Sequence, residues 1–197
     1  MAIRLGITGG IGSGKSGISG LLRVLGVPVY DCDREARRLM NDDPTIRSGI
    51  IALAGAGAYT SDGQLDRRFL AAFMFGDADR VAAVNAVVHP AVRADFHRWA
   101  DERDAFDVVA IESAILFEAG MRNDVDAVAL VYTPRDERIQ RTMARDGSTE
   151  AQVRARMDSQ MSDEDKLPLS DYIIRNAEQD AVTPQVFQLL TELKSSR

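Results

Sequence analysis

Gly9, Gly14, Lys15 and Ser16 stand near the amino terminus at the spacing G-x-x-x-x-G-K-S, and this pattern restricts the fold more than any other feature. Residues 3–7 before it form a short apolar run, which reads as a buried strand. After it, Ile18, Leu21, Leu22 and Leu25 recur at helical spacing, and Gly26 is a plausible stop. A strand, a glycine-rich turn and a helix in that order make an anion cradle. Glycines allow positive φ and let main-chain N–H groups approach phosphate oxygens, and the helix start adds a positive dipole end. Lys15 supplies a full positive charge toward β- and γ-phosphates, and the Ser16 hydroxyl is a ligand type suited to Mg²⁺. Gly17 and Gly20 lie early in this helix, where glycine costs about 1 kcal/mol relative to alanine. Close packing of the helix on a sheet is the expected reason for them.

The rest of the chain alternates in the same way. Residues 27–30 read as a second strand, followed by a helix from about 34 to 40. Residues 46–53, 65–75, 78–88 and 91–103 read as helices, with Pro90 in the first turn of the last. Short apolar runs at 108–112 and 127–132 suit parallel strands covered on both faces. Helices over 135–145 and 150–161, a strand at 172–174 and a closing helix over 184–193 complete the reading. The expected fold is α/β, a three-layer αβα phosphate-loop core around a parallel sheet. Its core would take about 1–33, 105–135 and 170–197, with a helical substrate domain at about 34–104 and an arginine-bearing lid at about 136–169.

Bulk properties narrow the partners. The formal net charge is -6, so nucleic-acid binding through a broad basic face is disfavoured. A polyanionic small molecule needs only local positive charge. Cys32 is the single cysteine, so no intramolecular disulfide framework exists. The first residues lack the apolar stretch of a signal peptide, and no run reaches the ~18 apolar residues that span a bilayer. Cytoplasm is the expected compartment, and a monomer or weak homo-oligomer the expected state.

Several residues suit the chemistry of phosphoryl transfer. Asp31 and Asp33 fall at the end of the second strand, where ligands gather in open α/β sheets. A carboxylate there can take a proton from an attacking hydroxyl, help to position Mg²⁺, or cap the next helix. Arg138, Arg141 and Arg145 share one helical face, which is either a solvated charged face with Asp136, Glu137 and Asp146 or an anion-binding lid. His89 reads as a cap or packing residue, or as a substrate contact. Glu112 ends a strand and suits metal or substrate. Two histidines and one cysteine, widely scattered, give no zinc site.

The ordered set of segments resembles the dephospho-CoA kinases. It runs from Gly6 through Ser16, then Asp31-Cys32-Asp33-Arg34-Glu35-Ala36-Arg37, then Asp62-Gly63-Gln64-Leu65-Asp66-Arg67 with Phe75, Asn85, His89 and Pro90. Leu116-Phe117-Glu118, Gln140-Arg141 to Arg145-Asp146, Arg156 to Gln160, and Asp171-Tyr172-Ile173-Ile174-Arg175-Asn176 continue it. The resemblance implies that ATP phosphorylates the ribose 3′-hydroxyl of dephospho-CoA. It implies Asp33 as catalytic base and Lys15 as the charge on the transferred group. Gly10, Ile11, Gly12, Ser13, Gly14, Lys15, Ser16 and Gly17 would hold the phosphates, with Ser16 also serving Mg²⁺. Arg141 and Arg145 would belong to the lid, and Asn176 would lie near the adenine. Asp33, Arg37, His89, Leu116, Phe117 and Glu118 would line the acceptor site.

Two departures stand out. Gly17 occupies a position where the family usually has threonine, and Glu112-Ser113-Ala114-Ile115 replaces an aspartate-x-proline-leucine pattern. Another small phosphate-loop kinase, acting on a nucleoside, a nucleotide or shikimate, is the nearest competing reading. A nucleotide-dependent switch is a third, weakened by the absence of an Asn-Lys-x-Asp signature.

Overall fold

A computed structural model describes residues 1–195. Ser196 and Arg197, assigned to the core from sequence, lie outside the described residues. The chain divides into two compact units, Met1–Asp31 with Trp99 onward, and Cys32–Arg98.

The first unit holds β1 (Ile3–Thr8), α1 (Lys15–Val24) and β2 (Val29–Asp31). The second unit follows with α2 (Cys32–Asp42), α3 (Pro44–Ala54) and α4 (Arg67–Met74), then α5 (Ala78–Asp101), whose last turn returns to the first. Back in the first unit come β3 (Val108–Glu112), β4 (Ala127–Tyr132), α6 (Arg135–Asp146), α7 (Glu150–Asp158), α8 (Asp163–Lys166), β5 (Tyr172–Arg175) and α9 (Val182–Ser195).

The pairings within the five-stranded sheet are parallel, in the order β2-β3-β1-β4-β5. This is the three-layer αβα architecture read from the sequence. Every residue of β3 is buried, as expected for a strand covered on both faces. Leu5 and Ile7 of β1, Ile18 and Leu22 of α1, and Val186, Leu189, Leu190 and Leu193 of α9 meet in one core cluster. β1 lies between β3 and β4, so the chain leaves it to one side and later returns on the other. Such a switch point opens a crevice at the carboxyl ends of the strands. The Gly9–Ser16 loop begins one residue past β1, at that end.

In the second unit, caps define the helices. The Asp43 carboxylate accepts from the N–H groups of Thr45 and Ile46, with Pro44 at the first helical position. Asp66 does the same for Arg68 and Phe69. The two helices expected on either side of Pro90 are one helix, α5. An internal proline costs about 3 kcal/mol. Val84, Val88, Val92 and Phe96 recur every four residues and are all buried, at about 1.5–3 kcal/mol each. That stripe runs through Pro90 and outweighs the lost bond. Asp95, also buried, accepts from Arg38 at 2.7 Å and pairs with Arg98, tying α2 to α5.

The helix read over 150–161 stops earlier. Thr149 and Gln152 form a capping box at its start, and it ends at Asp158. Ser162 then caps α8 by accepting from the Asp165 N–H. No helix among the described residues is long and apolar enough to cross a membrane.

The expected close packing at Gly17 and Gly20 is absent. A Cβ added at either meets nothing within 4 Å. Gly20→Ala is therefore expected to stabilise the fold by about 1 kcal/mol, read as a raised Tm. An unchanged or lower Tm would mean that the position needs glycine for a reason other than space.

Candidate active site

The loop after β1 is held open by its glycines and closed in by its neighbours. Gly12 and Gly14 have φ of 80° and 92°, which residues with a side chain rarely adopt. A Cβ at Gly14 would lie 2.1 Å from Asn176 Nδ2, and one at Gly12 would lie 2.4 Å from the Arg138 carbonyl oxygen. Gly14 leads directly into α1, so the loop meets a helix N-terminus. The Lys15 ammonium donates to the carbonyls of Gly9 at 2.7 Å and Gly10 at 3.2 Å. Ser13 Oγ is buried with no hydrogen-bond partner among the described residues, an orphan polar atom inside the loop.

Strand ends supply the surrounding groups. In register, Ile7 aligns with Glu112 and Glu112 with Asp31, so both carboxylates sit in one row at the carboxyl edge of the sheet. Ser16 Oγ donates to Glu112 Oε1 at 3.0 Å, and Glu112 is buried. A hydroxyl and a carboxylate side by side are hard oxygen donors of the kind Mg²⁺ takes, with its remaining positions left to phosphate and water. On the other side, Thr133 Oγ1 donates to the Ser13 carbonyl at 3.0 Å, and Asn176 Nδ2 donates to the same oxygen at 2.7 Å. Thr133 had no sequence signal beyond following a strand. It joins the loop to the ends of β4 and β5.

The three arginines of α6 part company. Arg141 reaches Thr133 Oγ1 at 3.5 Å and pairs with Glu137. Arg145 pairs with Asp146, whose carboxyl is held well below its usual range by hydrogen bonds from Arg145 and then Arg156. Arg138, grouped with them from sequence, is instead buried with Asp163 and cannot present its charge on the surface of a lid.

After β3, Leu116 is wholly buried, and a Cβ on Gly6 would meet its Cδ1 at 2.7 Å. Its side chain therefore fills the core beneath β1, so the acceptor contact expected of it is corrected to a packing role. Phe117 is partly buried. Glu118 accepts from the Met161 N–H at 2.9 Å and pairs with Lys166 at 3.2 Å. Lys166 is fully buried and also donates to the Ala114 carbonyl at 2.7 Å. Nothing in the sequence pattern marked Lys166.

The second unit carries Asp33, Arg37 and His89. Cys32 already opens α2, so Asp33 lies in its first turn while Asp31 stays on β2. Of the two carboxylates read at the strand end, only Asp31 belongs to the strand. Asp33 and Arg37 are exposed, four residues apart on α2. His89 lies mid-helix rather than at a cap, and burial pushes its imidazole below the usual value. It is held toward the neutral form.

With this geometry established, likeness to known proteins is informative. Residues 3–181 match the family model for dephospho-CoA kinase. A dephospho-CoA kinase of Bacteroides fragilis is 39% identical over 98% of this chain and 94% of its own. One from Salinibacter ruber is 43% identical over 87% of each chain. A crystal structure from Thermus thermophilus superposes with a TM-score of 0.82 at 34% identity, covering 99% of this chain and 97% of that one. Acinetobacter baumannii shikimate kinase, at 18% identity and a TM-score of 0.54, covering 100% of this chain and 96% of its own, shares the fold alone.

Proposed function

The chain belongs to the dephospho-CoA kinase family, and on that premise we propose how its own residues transfer the γ-phosphate of ATP to the ribose 3′-hydroxyl of dephospho-CoA, the last step of coenzyme A biosynthesis. The observation that carries this reading is the Gly9–Ser16 loop, with Lys15 across it and Ser16 bonded to Glu112.

The loop from Gly10 to Gly17 lines the polyphosphate, and Lys15 leaves its two carbonyls to neutralise charge on the group in flight. Moving an ammonium from neutral carbonyls to a phosphate oxygen keeps its charge-assisted hydrogen bond and adds direct attraction between opposite charges. Ser16 and Glu112 would hold Mg²⁺, which shields phosphate charge when bound. Asp33, exposed on the first turn of α2, accepts the proton of the 3′-hydroxyl as it attacks. Arg141 and Arg145 face the phosphates from the lid, each by giving up a carboxylate partner on its own helix. Asn176 takes the adenine side. Arg37, His89, Phe117 and Glu118 are the residues we assign to acceptor binding, with neutral His89 as a hydrogen-bonding rather than a charged contact. The same reading places the reaction in the cytoplasm.

A coupled ADP-release assay with Mg-ATP tests the substrate. Turnover with dephospho-CoA should exceed that with adenosine or AMP by at least about a hundredfold, because pocket groups left unpaired by a shorter acceptor penalise it heavily. Equal or greater turnover on adenosine or AMP would replace this reading with a nucleoside or nucleotide kinase. ATP binding with no turnover on any acceptor would favour a switch.

A further inference from the structure

Arg138 and Asp163, like Asp95, Asp124 and Lys166, are buried charged residues that the mechanism above does not use. Arg138 and Asp163 are almost wholly buried, at 7% and 1% exposure. Their side chains bracket one dipeptide of the phosphate loop. Asp163 Oδ1 accepts from the Gly10 N–H at 2.8 Å, and Asp163 Oδ2 accepts from Arg138 Nη1 at 2.5 Å. Arg138 Nε then donates to the Ile11 carbonyl at 3.0 Å. The bonds form a closed ring from the Gly10 amide through both side chains to the Ile11 oxygen.

The ring is tight. A Cβ on Gly10 would lie 2.1 Å from Arg138 Nη2. The guanidinium thus presses on the bare Cα of Gly10, and the α6 backbone presses on Gly12 through the Arg138 carbonyl. Thr142 Oγ1 bonds that same carbonyl at 2.7 Å and would meet a Gly12 Cβ at 2.6 Å.

We propose that Arg138 and Asp163 are positioning residues that set the Gly10–Ile11 turn, and through it the phosphate loop, in the shape that binds ATP. The proposal rests on the kinase reading only in taking this loop as the ATP site. A loop of glycines is intrinsically loose, and ordering it on binding costs affinity. A buried ion pair that satisfies one amide and one carbonyl removes that freedom beforehand. Such a pair is weak evidence for stability, because desolvation offsets its attraction, but a planar guanidinium forking between a carboxylate and a carbonyl fixes geometry well. Asp163 takes the Gly10 amide at the entry of the loop, so this carboxylate need not compete for the later amides near Lys15 and Ser16. Arg138 shares α6 with Arg141 and Arg145, so a shift of that helix reaches the loop directly.

The test measures the Kd of a fluorescent ATP analogue with Mg²⁺, the KM of each substrate and Tm. Arg138→Lys keeps the charge but loses the fork, and should raise the analogue Kd about fivefold. Asp163→Ala leaves Arg138 unpaired and the Gly10 amide without its acceptor, and should raise it at least about tenfold. Both should raise the KM for ATP while leaving the KM for dephospho-CoA within about twofold. Val186→Ala, a cavity in the core far along the chain on α9, should lower Tm yet leave the Kd unchanged. If Asp163→Ala does not fold, Arg138→Lys decides alone. A Kd within about twofold of the parent in the folded variants, or an equal rise in Val186→Ala, would overturn the proposal. A parent that binds the analogue without phosphorylating dephospho-CoA would sink the kinase reading and leave this one standing.

Discussion

Lys15→Ala is expected to lower kcat about a hundred- to a thousandfold, the loss seen when one preorganised donor to a developing charge is removed. The fold should survive the change. Lys15 Nζ bonds the carbonyls of Gly9 and Gly10 at the loop's open side, and the loop keeps its other ties through Arg138, Asp163, Thr133 and Asn176. Tm should therefore move by only a few degrees, roughly what loss of 1 kcal/mol gives in a chain of this size. Lys15→Arg should restore little, since a planar fork does not occupy the place of a compact ammonium. Steady-state kinetics beside a thermal melt check this. Near-normal kcat in a folded Lys15→Ala would remove Lys15 from the transfer step.

Asp33→Asn is expected to lower kcat about 10²- to 10⁴-fold while the Kd for ATP stays within about twofold. The substitution preserves shape and removes only the ability to take a proton. Asp33 is exposed, so its loss strands no buried partner. Its other effect is on the start of α2, where an acidic residue in the first turn contributes about 0.3–1 kcal/mol through the helix dipole. That structural share is far too small to mimic the expected kinetic loss. Asp31→Asn serves as comparison, because Asp31 remains on β2 in the same row as Glu112. If both variants lose rate equally, the carboxylates act through the strand-end field rather than through a base. If Asp33→Asn keeps its rate, Asp33 serves α2 alone.

Much of the fold was legible because short parallel strands leave a strong signal. All-buried runs such as Val108–Glu112 admit few other readings, and the glycine-lysine-serine loop fixed which strand leads and where the ligand edge lies. What escaped the sequence depends on tertiary packing. Pro90 reads locally as a helix start, yet the Val84-Val88-Val92-Phe96 stripe carries one helix through it. Arg138 reads as one of three surface arginines. Its pairing with Asp163, 25 residues on, follows from how α6 and α8 meet the loop, and no local pattern encodes that. Leu116 belongs to a segment that reads as acceptor-lining, but the absence of a side chain on Gly6 makes room for it in the core. Gly17 and Gly20 erred the other way: their neighbours leave space, and helix propensity alone gives no reason for glycine there.

Arg141 and Arg145 suit both readings of a charged helix face. Arg141 and Arg145 have carboxylate partners on their own helix, as a solvated face would, and exposed pairs of this kind are worth about 0–1 kcal/mol. Partners held so weakly are easily exchanged for a phosphate. Buried Arg138 is not in that position.

The position of the new phosphate on the product is the most direct test of 3′-hydroxyl transfer. The product of Mg-ATP and dephospho-CoA, followed by ³¹P NMR and mass spectrometry, should carry one new phosphomonoester, coupled to the ribose H3′, with one ADP formed per product. A phosphate at the 2′-hydroxyl or on the pantetheine arm, or ATP consumed with no new monoester, would contradict it.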